Sequence, residues 1–127
     1  MNIKKILIID DSATDRALMH DLLVGQGYQV LDAEDGEKGI AAAHSEHPDL
    51  ILMDVVMPGV NGFQATRTLS RDAGTRHIPI IMCSNKQQET DKVWGLRQGA
   101  HAYFAKPVDA GLLLQTIAAL NNRAAAT

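Results

Sequence analysis

Five short apolar runs alternate with longer segments in which apolar residues recur at helical spacing. The runs predicted as strands are Lys5–Ile9, Tyr28–Leu31, Leu50–Met53, Ile78–Cys83 and Ala102–Ala105. Leu50–Met53 has no polar interruption, which is typical of a strand buried on both faces in the interior of a parallel sheet. The pattern therefore predicts a sheet whose central strands are covered by helices on both sides.

Helix signals follow each predicted strand. Ser12 or Thr14 can cap a first helix that ends at Gly25, and Asp35 opens a second that stops before Pro48. The remaining predicted helices run from Gly62 to near Gly74, from about Gln87 to Gln98, and from a cap at Asp109 through Leu120. We expect residues 121–127 to form a flexible tail with nothing to pack against.

The fourth predicted helix has an unusual composition. Gly95 lies in its interior and lowers helix stability by about 1 kcal/mol relative to alanine, so we expect this helix to be the least rigid one. Val93 and Leu96 are predicted to face the core. Trp94 is then left near the rim, where either packing between helices or contact with a partner would explain it.

The strand–helix unit, repeated about five times with short loops, predicts an α/β fold. Such a chain forms a five-stranded parallel sheet, doubly wound, with helices on both faces and right-handed crossovers. At 127 residues, with no linker, repeat or low-complexity segment, we expect one domain over residues 1–127 and no output domain.

Carboxylates follow two of the predicted strands at the point where each strand ends. Asp10 and Asp11 come after the first strand, and Asp54 comes directly after Leu50–Met53. If the two strands are neighbours, three negative charges converge at the carboxyl edge of the sheet and repel one another. An all-oxygen ligand set of this kind favours Mg²⁺ over zinc.

Composition restricts the partners and the compartment. Apolar residues make up 46% and charged residues 21% of the chain, as in ordinary globular proteins, and the net charge of −3 argues against nucleic acid or an anionic membrane as partner. Cys83 lies in an apolar run and is interpreted as a buried packing residue in a reducing compartment. The N-terminus has no signal-peptide pattern, so we expect a cytoplasmic protein that does not enter the membrane.

The residues at the strand ends resemble a known family. Asp10-Asp11, Asp54, Ser84 and Lys106-Pro107 follow four different predicted strands, and together they resemble the receiver domain of response regulators, of the chemotaxis CheY type. The resemblance covers residues 4–120. It implies a flavodoxin-like strand order of 2-1-3-4-5.

The resemblance also implies roles for these residues. Asp54 would be the phosphoacceptor, and Mg²⁺ would be held by Asp11, Asp54 and the backbone carbonyl of Val56, with Asp10 acting through a bound water. Lys106 and Ser84 would stabilise the phosphoryl group. A sensor histidine kinase would be the phosphodonor. The protein would be a monomer or weak dimer, and it would be a phosphoacceptor and not an enzyme.

Signal output would use a switch formed by Ser84 and Tyr103. In the family, the hydroxyl at the Ser84 position moves inward on phosphorylation, and the aromatic ring at the Tyr103 position follows. This changes the face formed by the fourth helix, fifth strand and fifth helix, which binds a downstream target. The predicted partner-face residues are Lys92, Trp94, Leu96 and Tyr103.

Two segments narrow the resemblance further. Residues 57–67 and 89–100 are similar to the PilH-type regulators of type IV pilus twitching motility. Both segments lie outside the predicted phosphorylation chemistry. They imply a chemotaxis-like kinase as phosphodonor and a role in twitching motility or chemotaxis-like signalling.

Other interpretations remain open at the level of the sequence. Taken singly, Asp10-Asp11 could be a helix cap, and Asp54 or Lys106-Pro107 could belong to turns. The protein could also be a phosphate sink for the kinase. A flavodoxin-like cofactor binder would need a phosphate-cradling loop after the first strand, where this chain has Asp10-Asp11-Ser12, and a pseudo-receiver would lack one of the five site residues, so neither fits. An aspartyl phosphatase of the haloacid dehalogenase type would need an acid two residues after the nucleophile, where this chain has Val56. The histidines, which show no ligand spacing, are interpreted as surface residues: His20, His44, His47, His77 and His101.

Overall fold

A computed structural model describes residues 2–126, with side chains through Asn121. Five strands form one parallel sheet in the order β2-β1-β3-β4-β5. The strands are β1 (Lys5–Ile9), β2 (Gln29–Ala33), β3 (Leu50–Met53), β4 (Ile80–Ser84) and β5 (Ala102–Ala105). The helices are α1 (Ala13–Gly25), α2 (Gly36–Glu46), α3 (Gly62–Arg71), α4 (Glu89–Gln98) and α5 (Ala110–Ala126). The predicted fold class and strand order are confirmed.

The sheet separates two apolar cores because successive side chains of a strand point to opposite faces. One core contains Leu7, Ile51 and Met53 and includes residues of α2 and α3. The other contains Ile6, Leu50 and Leu52 and includes residues of α1 and α5. The central strand β3 is fully buried, as its uninterrupted apolar run predicts.

The helices begin where polar side chains accept hydrogen bonds from free backbone N–H groups. Of the two candidates for α1, Ser12 is the cap, and its side chain accepts from the Asp15 N–H. Asp35 caps α2, and Asn61 forms a reciprocal capping box with Gln64 at the start of α3. Each cap satisfies donors that would otherwise lack a partner, which fixes the residue at which the helix starts.

The C-terminal helix corrects one prediction. Although the sequence predicts an end at Leu120, α5 continues through Ala126. The Asn121 side-chain oxygen accepts a hydrogen bond from the Ile3 N–H at 2.6 Å, so the expectation that residue 121 has nothing to pack against is wrong. This bond ties α5 to the chain just before β1. Thr127 lies outside the described residues.

Helix α4 corrects a second prediction. Val93 and Leu96 do not face the core, because 48% and 49% of their surfaces are exposed. The buried residue of α4 is Gly95, and a Cβ atom there would lie 2.7 Å from the Met82 sulfur and 3.0 Å from the Tyr103 ring. The helix therefore faces the sheet through Gly95. Successive residues are rotated by 100° around the helix axis, so residues one and two positions from Gly95 point away from the sheet.

Among the described residues, no helix is both long and apolar enough to cross a membrane.

Candidate functional site

The carboxylates predicted to converge do so at the carboxyl edge of the sheet. Asp10 follows β1 and Asp54 follows β3, and the last residues of these paired strands, Ile9 and Met53, are in register. One carboxylate oxygen from each of Asp10, Asp11 and Asp54 lies within 4.8 Å of the others. The parallel pairing of β1 with β3 is therefore what builds the acidic cluster.

The start of α3 supports this edge through direct backbone contact. The Gly62 N–H donates to the Val55 carbonyl at 2.8 Å. A Cβ atom at Gly62 would lie 2.0 Å from the backbone oxygen of Asp54, a separation that no side chain could tolerate. Glycine is required here because the helix and the loop after β3 approach so closely.

Asp54 is a buried carboxylate with few partners. Its Oδ1 atom accepts a hydrogen bond from the Val55 N–H at 2.8 Å, and the residue is 6% exposed. Burial, followed by repulsion from the charge of Asp10, raises the pKa of Asp54 to about 6, although Lys106 acts in the opposite direction. The negative charge of Asp54 is thus poorly compensated by the protein.

Asp10 and Asp11 differ in environment. Asp10 is buried, accepts from the Ser12 N–H through Oδ1 at 2.9 Å, and binds Lys106 through Oδ2. Arg16 donates to the Asp10 backbone carbonyl at 2.7 Å, a contact that the sequence did not indicate. Asp11 is exposed, so it presents its carboxylate to solvent beside the two buried ones.

These donors fit a hard divalent cation. All three groups are carboxylates and their oxygens lie within 4.8 Å of one another, so their negative charges favour a bound cation. Mg²⁺, the ion predicted from the sequence, is such a cation. The roles of the Val56 carbonyl and of a water on Asp10 stay predictions.

Lys106 follows β5 and reaches across the edge of the sheet to the acids. Its Nζ atom lies 2.7 Å from Asp10 Oδ2, 2.7 Å from Asp15 Oδ2 and 3.7 Å from Asp54 Oδ2. Burial alone would lower the pKa of the ammonium group, but hydrogen bonds to Asp10 and Asp15 and the charge of Asp54 outweigh it and raise the pKa. Lys106 is therefore a permanent cation in the site.

Asp15 is the site residue that sequence reasoning missed. It lies in the first turn of α1, where an acidic residue is common because it favours the positive end of the helix dipole. Its position four residues after Asp11 in the chain was the available signal. That signal is weak, because the contact depends on Lys106, which is 91 residues away in the chain.

The two predicted switch residues lie close together. Ser84, the last residue of β4, is fully buried, and its hydroxyl accepts from the Lys86 N–H at 3.2 Å. The Tyr103 hydroxyl donates to the Lys86 carbonyl at 2.6 Å. Burial raises the pKa of the Tyr103 phenol. The segment after β4 therefore joins both side chains.

The residues of the predicted partner face do not all lie on one continuous surface. Trp94 and Leu96 are 48% and 49% exposed, whereas Lys92 and Tyr103 are half-buried. Trp94 and Leu96 are two positions apart on α4, which places them about 200° apart around the helix axis. Trp94 borders a shallow depression with Glu89, Thr90, Val93 and Arg97, away from Leu96.

The cysteine and the histidines lie where the sequence analysis places them, in the core and at the surface. Cys83 is buried, and burial raises the pKa of its thiol to about 12, in agreement with a packing role. His20 is half-buried and lies 3.4 Å from Asp32. The exposed histidines are His44, His47, His77 and His101.

Comparisons with known proteins agree with this geometry. Residues 6–118 match the family model of the response regulator receiver domain. The chain is 56% identical over 116 residues to protein PilH of Pseudomonas aeruginosa. The alignment covers 91% of this chain and 96% of PilH.

Solved structures give the same result. The chemotaxis protein CheY4 of Vibrio cholerae superposes with a TM-score of 0.83 at 30% identity, covering 91% of this chain and 96% of that one. A CheY-like receiver domain protein from Methanospirillum hungatei gives a TM-score of 0.87 at 27% identity and covers 96% of each chain. The chain therefore belongs to the response regulator receiver domain family of two-component systems.

Proposed function

We propose that this protein accepts a phosphoryl group on Asp54 from a phosphohistidine of a sensor histidine kinase. The observation that carries the proposal is the position of the buried Asp54 carboxylate, which lies within 4.8 Å of the Asp10 and Asp11 carboxylates and 3.7 Å from the Lys106 ammonium group. An oxygen of Asp54 attacks phosphorus, the bond from phosphorus to the histidine nitrogen breaks, and the nitrogen keeps the bonding electrons. The product is an acyl phosphate on Asp54.

Asp54 needs no general base for this step. With a pKa of about 6, its carboxylate is mostly ionised at neutral pH and can attack directly. Later, water attacks phosphorus, the Asp54 carboxylate leaves, and inorganic phosphate is released.

The neighbouring residues position and neutralise the transferred group. Asp10, Asp11 and Asp54 would hold Mg²⁺, which when bound withdraws charge from phosphoryl oxygens. Lys106, at 3.7 Å from Asp54, donates to another phosphoryl oxygen. The buried Ser84 hydroxyl, at the end of the strand beside β3, is the proposed third donor.

This reaction makes the protein a switch rather than a turnover enzyme. The phosphoryl group remains on Asp54 until water removes it, and the position two residues later holds Val56 in place of a second acid. The Tyr103–Lys86 hydrogen bond supports coupling of the site to α4, since α4 begins three residues after Lys86. Phosphorylation then changes binding of a target at the face of α4, β5 and α5. The cytoplasmic location and the single-domain organisation stay predictions.

Intact mass spectrometry tests the acceptor. Incubation with acetyl phosphate and Mg²⁺ should add one phosphoryl group to the wild-type protein, and chelation of the metal should prevent it. Asp54→Ala should add none, whereas Asp49→Ala, which removes a carboxylate at the far end of β3, should behave as wild type. Phosphorylation of Asp54→Ala to the wild-type level would refute the assignment.

We further propose that the pathway is twitching motility, with a chemotaxis-like kinase as phosphodonor. The support is the 56% identity to protein PilH over nearly the whole of both chains. The test replaces PilH in Pseudomonas aeruginosa with this chain and measures surface motility. Motility equal to that of the strain with its own PilH is expected, and Asp54→Asn should not reproduce it. If wild type and Asp54→Asn behave alike, the pathway proposal fails even where the mass experiment succeeds.

A further inference from the structure

Asp15 has a contact that the chemistry proposed above does not use. Its carboxylate binds Lys106 at 2.7 Å, the same distance as the Asp10 carboxylate, and it is outside the acidic cluster formed by Asp10, Asp11 and Asp54. Among the described side chains, Lys106 is the only cation within ion-pair distance of Asp15. The contact therefore concerns the lysine, not the cluster.

The geometry around Lys106 is asymmetric. An ammonium group has three N–H donors, and two of them are used by Asp10 and Asp15. Asp54 is 3.7 Å away, beyond hydrogen-bonding distance. The Asp10 side chain is 8% exposed and Asp54 7%, whereas Asp15 is 37% exposed. Asp15 thus holds the ammonium group from the solvent side of the site.

The backbone of Asp15 is fixed independently of the site. Its N–H donates to the Ser12 hydroxyl in the cap of α1. Because the start of the helix is fixed in this way, the Asp15 backbone keeps its carboxylate within reach of Lys106. A phosphoryl group on Asp54 must then share the ammonium group with it, and the negative charge of Asp15 also opposes an added anion.

We propose that Asp15 is a positioning residue that competes with the phosphoryl group for Lys106, and thereby lowers the affinity of the site for that group. This inference rests on the proposed function of Asp54. The same residue favours Mg²⁺, because it adds negative charge beside the site and takes up part of the positive charge of Lys106. Asp15 therefore raises the affinity of the site for the cation and lowers its affinity for the phosphoryl group.

The test uses the beryllium trifluoride anion, a noncovalent stand-in for a phosphoryl group on a carboxylate. Fluorine NMR at saturating Mg²⁺ measures its affinity, and calorimetry without the anion measures the affinity for Mg²⁺. Asp15→Asn should bind the anion roughly three- to tenfold more tightly and Mg²⁺ by a similar factor more weakly, as expected for one nearby, partly screened charge.

Two variants separate the contact from other effects. Asp15→Glu keeps the charge and should stay within about twofold of wild type on both measurements. Asp21→Asn removes a charge from the exposed surface of the same helix and should change neither. If Asp15 had only a structural role, Asp15→Asn would bind both the anion and Mg²⁺ more weakly and would unfold at a lower temperature. Tighter anion binding and weaker Mg²⁺ binding, with an unchanged midpoint of thermal unfolding, identify competition.

The outcomes are distinct. Unchanged or weaker anion binding by Asp15→Asn, with wild type binding normally, would overturn the role of Asp15 and leave Asp54 as the acceptor. If Asp21→Asn matches Asp15→Asn, the effect is one of overall charge and the competition is likewise refuted. Failure of the wild-type protein to bind the anion would overturn the proposed function, and the inference with it.

Discussion

The edge of the sheet that carries Asp54 and the helix α4 are built in different ways. At the edge, Asp10, Asp54 and Lys106 are largely buried and are held by short hydrogen bonds and ion pairs. On α4, Val93 and Trp94 are about half exposed, and the helix approaches the sheet through a glycine. The first region is thus determined by strand pairing and charge, and the second by how closely one helix can pack.

The two close glycines express this difference. A Cβ atom at Gly62 would collide with the backbone of Asp54 and Val55, whereas one at Gly95 would meet the Met82 sulfur and the Tyr103 ring. Side-chain ends can change rotamer, but the backbone after a buried strand cannot move without displacing the strand. The edge with Asp54 should therefore tolerate less added volume than α4.

The largest effect is expected for Gly62→Ala. The added methyl group would lie 2.0 Å from the Asp54 backbone oxygen, so α3 or the loop after β3 must shift. We expect a loss of about 3 kcal/mol or more in the free energy of unfolding, measured by urea denaturation. A loss below about 1 kcal/mol would show that the edge is as adaptable as α4.

Asp54→Asn should stabilise the metal-free protein by about 1–3 kcal/mol at pH 7 and above, because each unit of pKa shift corresponds to about 1.4 kcal/mol. Folding raises the Asp54 pKa from 3.8 to about 6, so the ionised carboxylate disfavours the folded state. The penalty is absent below pH 3.8, grows as pH rises to about 6, and is fully present above it.

Urea denaturation across this pH range, in a chelating buffer, measures the gain. The gain of Asp54→Asn should disappear at acidic pH. Saturating Mg²⁺ should reverse the order of stability, since the ion binds the folded wild type more tightly than a variant lacking one carboxylate. An Asp54→Asn protein that is less stable than wild type without metal would contradict the assigned charge excess.

Gly95→Ala should change stability by no more than about 1 kcal/mol. Contact with the Met82 sulfur at 2.7 Å opposes the substitution, while alanine favours the helix by about 1 kcal/mol, and the two effects largely cancel. The near-ultraviolet circular dichroism of Tyr103 should change, because its ring must move. A loss as large as that of Gly62→Ala would remove the contrast between the two regions.

The smallest effects are expected for the exposed apolar residues of α4. Leu96→Ala and Trp94→Ala should each cost less than about 1 kcal/mol, because about half of each surface is already exposed. Leu69→Ala in α3, where the side chain is fully buried, is the matched control and should cost about 2–5 kcal/mol. If Leu96→Ala costs as much as Leu69→Ala, the placement of α4 is wrong.

Much of the fold followed from local signals. The uninterrupted run Leu50–Met53 predicted a strand covered on both faces, and the structure buries all of it. Asp10, Asp11 and Asp54 were predicted together because parallel strands end at one edge, and they lie within 4.8 Å of one another. Such predictions succeed because the pattern of apolar residues and the position at which a strand ends depend on residues that are close together in the chain.

Helix α4 shows where local signals fail. Its apolar residues suggested a core-facing side containing Val93 and Leu96, but the helix faces the sheet at Gly95. Which side of a weakly amphipathic helix is buried depends on the space left above the sheet, here filled by Met82 and Tyr103. The same holds for Asn121, whose partner near the N-terminus, Ile3, lies 118 residues away in the chain.

The amino-acid sequence alone specified a doubly wound sheet and placed three carboxylates and a lysine at strand ends, because periodicity and chain breaks act over a few residues. Only the tertiary structure decided that Asp15 shares Lys106 with Asp10, that Asp54 lies beyond hydrogen-bonding distance of that lysine, and that α4 is held at a glycine. These contacts join segments far apart in the chain, and their distances depend on how all the helices pack on the sheet.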